Sequence, residues 1–93
     1  MAIWVKDPTD IVWFQFDWSA FLGTGETIIT YDVQVGEALN KEADSDSAQA
    51  VNFKVSGGTT GDSCLVVCTV NTSNDNTFKD EKTIYVVDRI GIP

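Results

Sequence analysis

The chain has 93 residues, of which 43% are apolar, and its 14 acidic and 6 basic residues give a net charge of −8. This length predicts one domain over residues 1–93 with a single packed core, and the acidic charge disfavours nucleic acid as a partner. The first eight residues carry no basic leader, and no stretch approaches the roughly 18 apolar residues of a membrane helix, so we expect synthesis in a cytoplasm and no membrane partner.

Alternating apolar residues near the N-terminus predict two strands. Residues 2–5 form a short candidate strand, and a turn containing Pro8 follows at residues 7–10. Residues 10–18 alternate with period two. The face of this second strand that is wholly apolar, and must therefore be buried, carries Val12, Phe14, Phe16 and Trp18.

The next segments predict a short turn and a third strand. Residues 19–22 are compatible with one helical turn that has Ser19 as its N-cap. Residues 27–35 alternate again, with only Ile28 out of phase. The face of this strand that we expect to be buried carries Ile29, Tyr31, Val33 and Val35.

A polar and acidic segment covers residues 37–47. We interpret it as a solvated loop, with a short edge strand as an option at residues 38–41. Glu42, Asp44 and Asp46 could together hold Ca²⁺, but their spacing does not match that of a known calcium loop. The sequence therefore favours a solvated acidic loop over a metal site.

Three further strands are predicted at residues 49–55, 63–72 and 77–88, separated by turn-rich residues 56–62 and 73–76. Their expected inward residues are Val51, Phe53, Val55, Cys64, Val66, Cys68, Val70, Ile84 and Val86. Short strands with turns every eight to twelve residues predict an all-β fold, a single immunoglobulin-like antiparallel β-sandwich of about seven strands. An open barrel is the alternative.

The two cysteines, Cys64 and Cys68, lie four residues apart on one predicted strand. This spacing separates their Cα atoms by about 13 Å in a strand, whereas a disulfide requires about 7 Å or less. We therefore expect two free, buried thiols. A metal or redox pair is disfavoured because the chain has no histidine and no third cysteine.

The composition also argues against an enzyme. Without histidine, a serine or cysteine nucleophile lacks its usual base. The glycine-rich residues 57–61 lack the lysine of a phosphate-binding loop and lie between strands. We therefore predict no catalytic residues, no cofactor and no metal.

Five apolar residues are candidates for an interface. Trp13 lies opposite the apolar face of its strand, and Trp4 lies near the N-terminus. Exposed tryptophans are typical of contact surfaces, although either ring could instead cover an edge of its own sandwich. Ile90, Ile92 and Pro93 form an apolar tail that could dock on a neighbour or fray.

Four motifs resemble those of a family of small proteins of tailed bacteriophages, often labelled phage fibre-tail adaptor. They are Lys-Asp-Pro-Thr-Asp at 6–10, Phe-Asp-Trp-Ser-Ala-Phe-Leu at 16–22, Gly-Glu-Thr-Ile at 25–28 and Ser-Gly-Gly-Thr-Thr-Gly at 56–61. Their order and spacing carry the resemblance over most of the chain. One departure is Val33, which stands where the family tends to have tryptophan.

The resemblance implies a non-enzymatic structural protein of the virion whose partners are phage capsid or tail proteins. The absence of a fibre-like repeat or coiled coil favours capsid decoration, as a cement protein, over a neck or tail-fibre adaptor. A homo-oligomer on the particle is compatible with either role. The alternative of another class is a module that binds carbohydrate or the host surface through Trp4, Trp13 or residues 44–47.

Overall fold

The computed structural model describes residues 3–88, which form seven strands in two sheets. The strands, in chain order, are β1 (Ile3–Lys6), β2 (Val12–Asp17), β3 (Ile28–Val35), β4 (Asn40–Asp46), β5 (Ala50–Ser56), β6 (Ser63–Thr72) and β7 (Thr77–Val86). One sheet has the order β1-β7-β6-β3 and the other the order β2-β5-β4. The predicted β-sandwich is therefore confirmed, and the open barrel is not formed.

The strand order is that of an immunoglobulin-like sandwich. The orders β7-β6-β3 and β2-β5-β4 correspond to the two sheets of that fold. The first strand differs from the constant-type arrangement because β1 joins β7 in parallel, whereas the other neighbouring strands between residues 3 and 88 are antiparallel. β1 pairs only with the last four residues of β7.

The core lies between the sheets and is built from the inward residues that alternation predicts. Val66, Cys68 and Val70 of β6 face Phe53 and Val51 of β5, and all five have no exposed surface. Phe16 and Trp18, which end the apolar face of the second strand, are also buried. Both cysteines are free and buried, as predicted, and burial raises the pKa of Cys68 to about 11.

A β-bulge reverses the predicted facing of two residues in β3. The pairing with β6 shifts register between Ile28 and Thr30. Ile28 is consequently buried, whereas Ile29, which we expected to face inward, is 61% exposed. The prediction for Ile29 is wrong because an extra residue in one strand changes the parity on which the alternation argument depends.

The acidic segment is a strand and not the predicted loop. β4 pairs with β5 along its length, with a second bulge between Lys41 and Ala43, and all its residues are exposed. It is one of the two edge strands of its sheet, β2 being the other. Its polar composition fits that position, because charges on an exposed edge disfavour pairing with another chain.

Residues 19–22 form a single hydrogen-bonded turn that does not continue into a longer helix. The N–H groups of Phe21 and Leu22 both donate to the carbonyl of Trp18, at 2.9 and 3.2 Å. At the start of this turn the side chain that accepts a backbone hydrogen bond is the Asp17 carboxylate, to which the N–H of Ser19 donates at 2.9 Å. No helix long and apolar enough to cross a membrane occurs in residues 3–88.

Candidate docking surfaces

The first motif fixes one end of the sandwich. Lys6 is fully buried, and its Nζ donates to the carbonyl oxygens of Asp7 at 2.9 Å and Gly57 at 2.5 Å. A buried ammonium is tolerated only when such acceptors replace water. The side chain therefore joins the end of β1 to the glycine-rich turn between β5 and β6.

The carboxylate of Asp7 organises the turn that follows. Its Oδ1 accepts hydrogen bonds from the N–H and the hydroxyl of Thr9, at 2.9 and 2.7 Å. The N–H of Asp10 donates to the Asp7 carbonyl at 2.9 Å, and the N–H of Asp7 donates to Asp10 Oδ2 at 3.1 Å. These contacts stabilise the turn between β1 and β2, which lie in different sheets. The motif therefore has a structural role.

At the opposite end, a buried glutamate joins two turns. The Glu26 carboxylate accepts from the N–H of Gly23 and from the side-chain amide of Asn76, each at 2.8 Å, and from the hydroxyl of Thr72. These hydrogen bonds, led by that of Thr72, hold the pKa of Glu26 below 4.5, its ordinary value. The turn before β3 is thereby attached to the β6–β7 hairpin.

This site should contribute to the acid sensitivity of the fold. Because the folded pKa of Glu26 is depressed, its stabilisation is present above the unfolded value of 4.5 and is lost as pH falls through the folded pKa. We expect Glu26→Gln to lower the melting temperature at pH 7, with a gap from wild type that narrows below pH 4.5. Thermal unfolding between pH 3 and pH 7 measures this gap.

The control is Glu37→Gln, which removes the same charge from an exposed residue in the turn before β4. It should leave a small gap with no comparable narrowing. A Glu26→Gln gap that is independent of pH would contradict the assigned role of the carboxylate.

Trp4 lies within a ring cluster between the two sheets. Its ring stacks on Phe14 with centroids 4.8 Å apart and meets the edge of Phe16 at 5.3 Å. The ammonium of Lys82 lies 4.8 Å from the Trp4 centroid, within the range of a cation–π contact. Trp4 is therefore only partly exposed and covers the β1–β2 side of its own sandwich.

Trp13 lies on the opposite side of β2 and packs outside the core. It is 48% exposed on the outer face of the β2-β5-β4 sheet, where the register places it beside Lys54 of β5. Gln15, on the same face, donates to the Asn52 side chain at 2.9 Å. Ile11, which precedes β2, is 64% exposed. This face thus presents a large apolar ring with polar neighbours.

One acidic side chain of β4, that of Asp44, forms contacts with other residues of the protein. Asp44 accepts from the hydroxyl of Tyr31 at 2.6 Å and forms an ion pair with Lys41 at 2.8 Å. The Asp44 hydrogen bond raises the pKa of Tyr31 to about 12, and the Lys41 contact, followed by that of Tyr31, lowers the pKa of Asp44. The pair of Tyr31 and Asp44 joins β3 to β4 across the sheets.

Sequence reasoning missed a second apolar surface. Val5, Leu65 and Tyr85 are 51%, 49% and 42% exposed and point outward from three neighbouring strands, β1, β6 and β7. We call this surface the Leu65 patch. The available signal was the unbroken apolar run of residues 64–68, which is unlike the alternation of a strand with one solvated face.

Neither a ligand cavity nor a metal site is found in the part of the chain that the structure describes. The predicted tail residues Ile90, Ile92 and Pro93 lie outside the described residues. The structure therefore describes two of the five predicted interface residues, Trp4 and Trp13. Trp4 packs between the sheets, whereas Trp13 lies on the outer face of the β2-β5-β4 sheet.

Comparison with known protein families links this chain to bacteriophage structural proteins. Residues 6–86 match a family model described as podophage GP4 fiber-tail adaptor protein gp77. The matched span contains all of β2 to β7 and both motif-bearing ends of the sandwich. A comparison with curated proteins found no match. The resemblance predicted from the four motifs is confirmed by the family model.

Proposed function

The chain belongs to the podophage GP4 fiber-tail adaptor family, and from that membership we propose that it is a virion protein that holds a fibre to the tail. Membership identifies a phage structural protein. The further steps, which surface docks and on what, are inferred from the residues that the fold leaves exposed.

The exposure of Trp13 carries this proposal. A tryptophan that is 48% exposed on a sheet face adds little to the core, and its large apolar surface in water is unfavourable until a partner covers it. Tryptophan is also enriched among the residues that dominate binding energy. We propose that the outer face of the β2-β5-β4 sheet docks on a tail protein, with Trp13 as the anchor.

The family favours a tail adaptor over the capsid decoration that the sequence favoured. The number of copies per particle separates the two roles. An adaptor that follows the symmetry of a tail should be present at on the order of a dozen copies, whereas a decoration protein should be present in hundreds. Quantitative mass spectrometry of purified virions measures this number.

A carbohydrate-binding role makes a different prediction. It requires a glycan signal from the isolated protein that Trp13→Ser abolishes. Under the adaptor proposal, a glycan array gives no signal and the protein stays on the particle through contacts with other proteins.

The mutational test is retention on the virion. If Trp13 is an anchor worth about 2 kcal/mol, Trp13→Ser should weaken each contact about 30-fold. Because several contacts act together on a particle, occupancy should fall further than a single contact implies. Virions assembled with the variant are purified, and the bound protein is quantified against the major capsid protein.

Two matched variants control this test. Ile29→Ser removes an exposed apolar side chain from the other sheet, and Asp46→Ser removes a carboxylate from the acidic strand β4. We choose Asp46 over Asp44 because Asp44 is bonded to Tyr31 and Lys41. All three variants should keep the wild-type melting temperature within a few degrees. Release by Asp46→Ser with retention of Trp13→Ser would transfer the interface to the acidic edge.

A further inference from the structure

The four edge strands within residues 3–88 are protected to different degrees. β1 has only four residues, β3 contains the bulge between Ile28 and Thr30, and β4 combines exposed charges with its own bulge. Short length, bulges and charges are features by which natural edge strands avoid pairing with other chains. β2 lacks all three, because it pairs with β5 in an unbroken register over six residues and its one charge, on Asp17, lies at its end.

The hydrogen-bond pattern identifies the backbone groups at the edge of β2. The N–H of Trp18 donates to the Gln49 carbonyl at 2.9 Å, in continuation of the β2–β5 register. In an antiparallel ladder, every second residue of a strand is bonded to the neighbouring strand. The even-numbered residues of β2 therefore bond to β5, whereas Trp13, Gln15 and Asp17 point their N–H and carbonyl groups away from it. No strand within residues 3–88 pairs with this edge.

We propose that the β2 edge pairs antiparallel with the same edge of a second copy, about a two-fold axis at Gln15. This register pairs Gln15 of the two copies with each other, and Trp13 of each copy with Asp17 of the other. Each of the three pairs exchanges two backbone hydrogen bonds, about six in all, and registers centred elsewhere in β2 form fewer. The contact is isologous and therefore closes as a dimer, which joins the two three-stranded sheets into one.

The distribution of charge is compatible with this contact, although each copy carries a net charge of −8. The acidic strand β4 lies at the far edge of the sheet, so five strand spacings, or about 24 Å, separate the two β4 strands of the dimer. This distance is about three Debye lengths at 0.15 M salt. Nearer the axis, Asp17 lies opposite Trp13 of the other copy, and Lys54 lies beside that Trp13 in the same row. The row of each Asp17 thus contains a lysine and not the second carboxylate.

The dimer should be weak in dilute solution. A contact along six residues of one strand is about 20 Å long and is small beside the roughly 800 Å² per partner of a stable interface. It is favoured where a particle holds copies side by side. Pairing occupies the backbone edge of β2, whereas the Trp13 ring projects from the sheet face, so the inference does not depend on the docking of Trp13 proposed above.

Amide hydrogen exchange of the wild-type protein tests the edge directly. The full chain is measured by NMR from about 50 μM to about 2 mM, and sedimentation equilibrium gives the fraction of dimer at each concentration. Exchange at Trp13, Gln15 and Asp17 should slow in proportion to the remaining monomer, about tenfold when about nine-tenths of the chains are in dimers. A protein that stays monomeric over this range, or a dimer that leaves these three amides unchanged, overturns the inference.

Charges introduced at the axis test the register. Gln15→Lys and Gln15→Glu each place like charges directly opposite each other in a dimer, so each variant alone should raise the dimer Kd by up to about fivefold. An equimolar mixture places lysine opposite glutamate and should restore the dimer. The lysine variant is the sharper test, because the added positive charge lowers the net charge from −8 to −7 and so weakens the overall repulsion, yet we expect less dimer.

Ser45 supplies the matched control. It is exposed on β4 and lies in the same row of the sheet as Gln15, with Asn52 of β5 between them. Ser45→Lys, Ser45→Glu and their mixture should dimerise as the wild type does, because this row position is far from the axis.

Two further results separate this inference from its alternatives. Loss of the dimer in Leu65→Ser, with full dimerisation of both Gln15 variants, would overturn it and assign the contact to the Leu65 patch. Retention of Trp13→Ser on virions, which would contradict the docking proposal, is measured on particles and not on the isolated protein. Either proposal can therefore fail without the other.

Discussion

Replacing Trp18 with alanine is expected to lower the free energy of unfolding by about 3–5 kcal/mol. The side chain is 1% exposed and contacts the rings of Phe16 and Phe78, with centroids 6.3 and 6.4 Å apart. Its removal leaves a large cavity where the end of the sandwich is closed by a turn. A domain with a total stability of about 5–15 kcal/mol could be largely unfolded by such a loss. Urea unfolding followed by circular dichroism measures the change.

Phe21 provides the matched control. It lies in the same ring cluster, 5.4 Å from Trp18, but is 55% exposed. Phe21→Ala should therefore cost about 1 kcal/mol, because less apolar surface returns to water. Trp18→Phe, which retains most of the apolar volume, keeps the test quantitative if the alanine variant does not fold. A Trp18→Ala protein within 1 kcal/mol of wild type would show that the core is not organised as described.

The second large effect is expected at Gly58, in the turn between β5 and β6. Its φ is +94°, and a Cβ there would lie 2.8 Å from both Leu39 Cδ2 and Val86 Cγ2. Gly58→Ala therefore combines backbone strain of about 1 kcal/mol with overpacking of about 1–3 kcal/mol. We expect a loss of about 2–4 kcal/mol in the free energy of unfolding.

Gly61 separates the two contributions. It has a similar φ of +97°, but a Cβ at this position would meet no atom within 4 Å. Gly61→Ala should therefore show the backbone strain alone, about 1 kcal/mol. Equal losses for the two variants would mean that Leu39 and Val86 yield to the added methyl group. The same urea titration serves both variants.

The motifs that carry the family resemblance are mostly structural. Lys6 and Gly57 join one end of the sandwich, and Glu26 joins the turns at the other end. Motif residues could be identified in the sequence, but their role could not, because Lys6 and Gly57 are 51 positions apart and Glu26 and Asn76 are 50 apart. A residue at the end of a strand gives no local sign of the carbonyl or amide that it will meet.

The sequence by itself determined most of the strands and most of their inward faces. Alternation with period two is a local property of the backbone, so the buried positions of β5 and β6, such as Phe53 and Val66, follow from the order of residues alone. The free state of Cys64 and Cys68 follows from the same spacing. Trp13 is exposed because the same alternation places it on the face of β2 opposite Phe14 and Phe16.

Only the tertiary structure decided the edges, the bulges and the surfaces that different strands build together. The bulge that exposes Ile29 depends on the partner strand β6, and the acidic residues 40–46 become a strand because β5 offers them a ladder. Val5, Leu65 and Tyr85 form one patch because β1, β7 and β6 are neighbours, although up to 80 positions separate them in the chain. Pairing between distant strands is set by the packing of the whole sandwich, and no local pattern encodes it.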